Sequence, residues 1–311
     1  MEEFRLFASL GASAAQVRRT VGCIRRFSSS AAAAGTGWAR QLTRAGISRH
    51  LATMLAGGAS AKTVRNHHAA ISTFCNFLAD AGALPGNPAA GLVLPRIPKR
   101  VPNFLDEDDL AEALRLAAGA RIGNEVALAV NTGLRMSELQ RLAWADVNLE
   151  ARVLLVRVAK GGQPRQVPLN EAAIAALTNQ ARRTGRHAYV FPGGRVTRSG
   201  QAGRGTWDRG GPRGRDWWLS ALAPLQEAIP AFRLARKGST GRGWHLLRHT
   251  FASRLAQAGV DLKIIGEWMG HRSVTTTEIY AHLQPCYDRR IELCATKSEG
   301  ETHDPVQMSL W

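Results

Sequence analysis

A chain of 311 residues with 45% apolar composition is long enough for two cores of ordinary domain size, and 41 Lys/Arg against 24 Asp/Glu give it a net charge of +17, which favours a polyanionic partner, nucleic acid before a membrane surface. No apolar run approaches the roughly 20 residues that span a bilayer. Cys23, Cys75, Cys286 and Cys294 show neither a CxxC pair nor the spacing of a disulfide framework, so reduced thiols in a cytoplasmic, nucleoid-associated protein are expected, and redox chemistry is not.

In the first 35 residues Arg18, Arg19, Arg25 and Arg26 stand among Ser and Ala and end in SSSAAAAG, a composition that loosely imitates a transit peptide. Glu2, Glu3 and the spacing Phe4, Phe7, Leu10 fit an amphipathic helix better, followed by a flexible Ser/Ala/Gly joint. From Trp38 to Leu84 two apolar stripes at helical spacing (Ile47, Leu51, Met54, Leu55; then Val64, Ile71, Phe74, Phe77, Leu78) are separated by Gly57 and Gly58, which predicts a small all-helical domain. Four prolines between Pro88 and Pro102 forbid a continuing helix. The predicted organisation is a helical domain with an N-terminal extension over 1–95, a linker over 96–102 and a second, mixed domain over 103–311. Arg96, Lys99 and Arg100 suit either a strap across a DNA backbone or a solvated connector.

Asp106 is placed to cap the helix that contains Leu110 and Leu114, and Gly133 to stop the one around Val126–Val130. RMSELQRLAWADV reads as a short helix, and VLLVRV and RQVPL around KGGQP as an antiparallel hairpin with Lys160 at its turn. Helix returns at Glu171 to Arg183, and YVF at 189–191 is a candidate strand. Residues 192–214 hold eight glycines, a loop or insertion; from Arg182 to Arg242, 13 Lys/Arg face three acids. Arginines interleaved with Trp207, Trp217 and Trp218 fit a nucleic-acid surface, and equally a basic loop beside a helix that buries Trp217. HLLRHTFASRLAQAG, DLKIIGEWMG and TTTEIYAHL predict three closing helices, with Asp261 as a cap and Gly259 and Gly270 as stops. The fold class expected is mainly α with a small β-hairpin or sheet.

HExxH, zinc-type Cys/His spacing, GxSxG and the Walker GxxxxGK[ST] are all absent from the sequence. What remains is a set of cations and one phenol. His245 and Arg248, three apart, share a helix face and can reach one anion together. Singly, Tyr280 fits a core aromatic, His271 a helix-stop polar residue and Glu138 an ordinary surface carboxylate. A zinc site from His245, His249, His271 and His282 is possible by count, but Arg248 among them repels a cation.

Read together, TGLRMSEL, LAWADV, KGGQPRQVPL, HLLRHTFASRL and MGHRSVTTTEIYAHL, in that order, resemble the tyrosine recombinase (phage integrase) family over roughly residues 103–290. Residues 36–95 resemble that family's helical core-binding domain in pattern only. The resemblance implies a catalytic set of Arg135, Lys160, His245, Arg248, His271 and the nucleophile Tyr280, with Glu138 in support and no metal or other cofactor. It implies cleavage and rejoining of double-stranded DNA at specific recombination sites, as in mobile elements, through a covalent 3'-phosphotyrosyl intermediate. Two arginines would hold the nonbridging oxygens, His245 would take or relay the phenol proton, Lys160 would protonate the leaving oxygen and His271 would donate to the phosphate. The clamp formed by the two domains and a homo-tetramer on two sites are further implications, as is a tail after Leu283, with Ile291, Leu293, Met308 and Leu310, that docks on a neighbour. The alternatives are a catalytically silent DNA-binding relative and a tyrosine-type topoisomerase. Tyr189 and Tyr287 are the rival phenols, and both lie outside the motif.

Overall fold

Residues 2–33, 37–98, 102–157, 164–185, 187–193, 211–238, 243–271 and 273–285 are described in the computed structural model. The chain divides into two compact units, Met1–Lys99 and Arg100–Trp311. In the first lie α1 (Glu2–Ser9), α2 (Ala14–Ala33), α3 (Arg44–Ala56) and α4 (Ala61–Asp80). Thr43 and Ser60 open α3 and α4 by accepting the backbone N–H of Gly46 (3.1 Å) and Thr63 (3.2 Å), each cap contributing about 1 kcal/mol. Phe4, Ile24, Phe27, Ile47, Val64, Ile71 and Phe74 form the core. The SSSAAA stretch, expected to be a flexible joint, continues α2 instead. Alanine is the strongest helix former, and the Ser30 hydroxyl donates back to Phe27 O (2.8 Å) and pairs with His50 Nδ1 (2.9 Å).

The second unit begins with α5 (Glu107–Gly119), capped by Asp106, which accepts from Asp109 N at 2.8 Å, then α6 (Gly123–Thr132) and α7 (Met136–Arg141). A three-stranded antiparallel sheet follows in the order β1 (Val147–Asn148), β2 (Val153–Val156), β3 (Arg165–Pro168). The β2–β3 hairpin is the one expected, with Val156 opposite Arg165 as its last pair; its turn, with Lys160, lies outside the described residues. β1, only two residues long, is too short to leave an alternating pattern in the sequence. YVF is not a strand but a single bridge, Ala143 to Tyr189, because the opposing chain turns helical on both sides of it, α7 ending at Arg141 and a 3-10 turn beginning at Trp144.

After α8 (Glu171–Thr184) come the short helices α9 (Arg215–Ser220), α10 (Ala223–Ala228) and α11 (Pro230–Gly238). α9 buries Trp218, not Trp217, and Trp218 packs edge-on to Trp244 with centroids 4.9 Å apart. Arg213, one of the arginines of the basic segment, is buried: it donates to Glu125 Oε1 (2.6 Å) and lies 4.0 Å over the Trp217 ring. Its charge therefore serves the core, and residues 194–210 lie outside the described ones. α12 (Trp244–Gln257) and α13 (Leu262–Met269) are the last α-helices among the described residues, and the Leu105 N–H donates to Thr250 Oγ1 (3.0 Å), fixing the unit's entry segment on α12. TTTEIYAHL, expected as a third closing helix, forms 3-10 turns at Val274–Thr276 and Glu278–Leu283. The β-branched run Val274–Thr277 disfavours α-helix. The unit is mainly helical with one small sheet, and no helix among the described residues is long and apolar enough to cross a membrane.

Candidate active site

The site is assembled around the end of one helix. The last carbonyls of any α-helix have no partner in the helix and carry its negative dipole end, so they attract N–H donors with positive charge. At the end of α13, Arg165 Nε donates to Trp268 O (2.7 Å), Arg248 Nη2 to Met269 O (2.5 Å) and Arg135 Nη2 to Gly270 O (3.1 Å). Three guanidiniums from three different elements thus hang on three consecutive carbonyls. Gly270 makes the helix stop possible: its φ of 65° is left-handed, and a Cβ there would stand 2.9 Å from Arg165 Nη1.

Each arginine is fixed a second time. Arg248, on α12 and 4% exposed, also donates Nη1 to Gly133 O (2.5 Å). Gly133 itself is left-handed (φ 61°), and a Cβ would come within 2.4 Å of the Phe251 ring, so the α6 stop is moulded onto α12. Arg135 opens α7, where Glu138 accepts its backbone N–H (2.8 Å) and its Nη1 (2.9 Å). Arg165 grips the same carboxylate with both prongs, Nη1 to Oε1 at 3.0 Å and Nη2 to Oε2 at 2.7 Å. Burial raises the Glu138 carboxyl, but the Arg165 fork and then Arg135 outweigh it and hold it below its ordinary value. Burial and the charge of Arg135 push Arg248 down to about 9, still protonated at neutral pH, as its two carbonyl bonds require.

The other side chains singled out in the sequence lie around this cluster. His245 shares the Arg248 face of α12, and burial, then Arg248 and Arg135, lower its pKa. His271 follows Gly270 directly and pairs through Nδ1 with Thr277 Oγ1 (2.8 Å); burial, then Arg248 and Arg135, lower it to about 4. Gly266 makes room for that threonine, since a Cβ would stand 2.9 Å from its Oγ1. Tyr280 is fully buried, and its hydroxyl is hydrogen-bonded to His249 Nδ1 at 2.5 Å. Burial raises the phenol pKa, with Arg248 pulling the other way, and burial with His245 and Arg248 lowers His249 to about 4, so this is a neutral pair at pH 7.

Arg135, Glu138, His245, Arg248, His271 and Tyr280 are therefore gathered in one neighbourhood. Lys160 lies outside the described residues. Among the described residues no three His, Cys, Asp or Glu side chains are grouped as a metal site needs. Two participants are not evident from the motifs. Arg165 has a signal: β3 alternates, so Arg165 and Val167 share the buried face. His249, by its place after the HxxR pair, is expected to pack or hydrogen-bond within its helix pair, but nothing local in the sequence points to Tyr280 as its partner.

The profile of the phage integrase family matches residues 103–211 and 226–286. Tyrosine recombinase XerC of Xanthomonas axonopodis pv. citri (strain 306) is 32% identical over 232 residues, 73% of this chain and 69% of the relative. XerC of Mycobacterium bovis (strain BCG / Pasteur 1173P2) is 30% identical over 251 residues, 78% and 79% of the two chains. In fold, the chain is similar to the Tn1549 transposon integrase in complex with circular intermediate DNA (TM-score 0.59, 19% identity, 81% of this chain and 84% of that one). It is also similar to the XerH site-specific recombinase bound to its difH substrate (TM-score 0.55, 22% identity, 83% and 71%).

Proposed function

The chain belongs to the phage integrase family and is a site-specific tyrosine recombinase, and from that premise we propose that it cuts and rejoins double-stranded DNA through a 3'-phosphotyrosyl bond on Tyr280, with no metal ion or ATP. The observation that carries this reading is the mounting of Arg135 and Arg248 on neighbouring carbonyls of one helix end. Each guanidinium has five N–H donors and spends two on the protein, so both keep donors for the nonbridging oxygens of a phosphate. Charge placed in this way stabilises the transition state without a metal.

Tyr280 Oη attacks the phosphorus, the bond from phosphorus to the 5' oxygen breaks, and Lys160 protonates the leaving oxygen. His245 receives the phenol proton. A Thr277 hydroxyl that donates to His271 Nδ1 leaves Nε2–H to donate to the phosphate. For the attack Tyr280 has to leave His249, which asks only a short 3-10 segment to shift. Four protomers on two sites, two of them active at a time, complete the proposal; the mass of the complex on paired sites tests that assembly.

Tyr280→Phe should abolish covalent trapping on a nicked recombination-site oligonucleotide, and the wild-type adduct should form equally in chelator and without nucleotide. An adduct that persists in the Phe variant moves the nucleophile elsewhere, and one that vanishes with chelator ends the metal-free reading.

A further inference from the structure

The role of Arg165 follows from how many groups share the Glu138 carboxylate. Glu138 is buried, and a buried carboxylate beside an arginine normally takes that arginine side-on, with two parallel N–H···O bonds. That arrangement would withdraw Arg135 from a phosphate and cancel its charge. The observed geometry is different: Arg165 occupies one lone pair on each oxygen, the Arg135 backbone N–H takes a second place on Oε2, and the Arg135 guanidinium reaches only Oε1, through a single Nη1. The guanidinium's Nη2 is drawn away to Gly270 O. Arg165 is itself held in place, with Nε on Trp268 O and its stem against Gly270, a position any Cβ at 270 would obstruct.

We infer that Arg165 is a positioning residue for the cleavage step: by saturating Glu138 it keeps that carboxylate from pairing side-on with Arg135, and so leaves Arg135 charged and open toward the scissile phosphate. With Arg165 the trio Arg135, Glu138 and Arg165 carries +1; without it the remaining pair is neutral. All three guanidinium nitrogens of Arg165 are bonded to Trp268 O or to Glu138, and the side chain is buried, so it acts through Arg135 and not on the phosphate itself. It is also the first residue of β3, opposite Val156, so the same three bonds pin the base of the hairpin whose turn holds Lys160. The inference rests on the proposed role of Arg135.

The test compares Arg165→Met, Glu138→Gln and the double variant, reading the rate of covalent adduct formation on a nicked duplex at saturating DNA, and separately the DNA affinity. Arg165→Met should slow cleavage by about 10- to 100-fold with affinity within about threefold, the pattern of a group acting only toward the transition state. Adding Glu138→Gln, a neutral amide that cannot capture Arg135, should recover about tenfold of that loss. Arg165→Lys should stay slow, because an ammonium cannot fork onto two oxygens. A double variant no faster than Arg165→Met, or an Arg165→Met as fast as wild type, overturns the inference. If Arg165→Met does not fold by circular dichroism, Arg165→Lys with and without Glu138→Gln makes the same comparison: recovery by the amide supports the inference, and no recovery overturns it. Wild-type protein that forms no adduct in this assay would instead overturn the proposed function, so the two failures are distinct.

Discussion

The two halves of the candidate site are held in opposite ways. On one side the guanidiniums of Arg135, Arg165 and Arg248 are each fixed by at least two partners, most of them backbone carbonyls, which cannot rotate away. On the other side the Tyr280 hydroxyl has a single hydrogen-bond partner among the described residues, His249, and sits on a 3-10 turn whose hydrogen bonds are weaker than an α-helix's. On the proposed mechanism the electrostatic half is built before DNA arrives, and the nucleophilic half is stored. Such a division suits an enzyme that must not react with the wrong phosphate: placement of charge is permanent, and delivery of the reacting oxygen is the step left to be triggered.

The comparison breaks most visibly at Arg248. Arg248→Ala should lower adduct formation by at least about 100- to 1,000-fold, the scale of losing one charge-stabilising donor. It also leaves Gly133 O and Met269 O unpaired in the interior, each costing about 1–3 kcal/mol, so a fall in melting temperature should accompany it. A variant that keeps full stability would show that those carbonyls are satisfied otherwise.

Next in size is Gly270→Ala. A side chain at φ 65° costs roughly 1 kcal/mol, and the Cβ crowds Arg165, so both stability and the rate should fall together, the rate by about tenfold or more. Equal rates in the variant and the parent protein would mean that the helix end does not aim the cluster.

His249→Ala acts on the stored half. One hydrogen bond contributes about 1 kcal/mol, so releasing the phenol should speed adduct formation by roughly fivefold at unchanged DNA affinity. Slower formation would make His249 a participant in proton transfer and not a holder.

The effect that touches the reaction least is in acid, where it is read as stability. His249 and His271 are buried neutral, with pKa values lowered to about 4, while the unfolded chain titrates near 6.5. Below 6.5 the unfolded state binds the extra protons, so the stability these residues provide is present above that pH and is lost as pH falls toward 4. Melting temperature followed across this window should decline, and less steeply in His249→Asn; a flat profile would remove the burial argument for both rings.

Much of this arrangement is legible in the sequence, and what is not has a common cause. Asp106, Gly133, Asp261 and Gly270 announce helix ends through their own chemistry, and the β2–β3 hairpin through its glycine turn. Arg135, Glu138, Arg248, His271 and Tyr280 stand within motifs. The mounting of the arginines, however, uses carbonyl oxygens at 133, 268, 269 and 270, and every residue offers that same acceptor, so no side-chain pattern can reveal the pairing. The 3-10 form of the segment around Tyr280 likewise depends on a tertiary partner, His271 with Thr277, which a local helical pattern does not contain.

Because three of the four anchoring carbonyls lie at the end of α13, an emerging polypeptide exposes its arginines long before it has anywhere to seat all of them. A ribosome-bound or prematurely terminated product ending ahead of Trp268 would carry positive charge but no assembled chemistry. On the proposed mechanism, competence to break DNA is thereby deferred until α13 has been made.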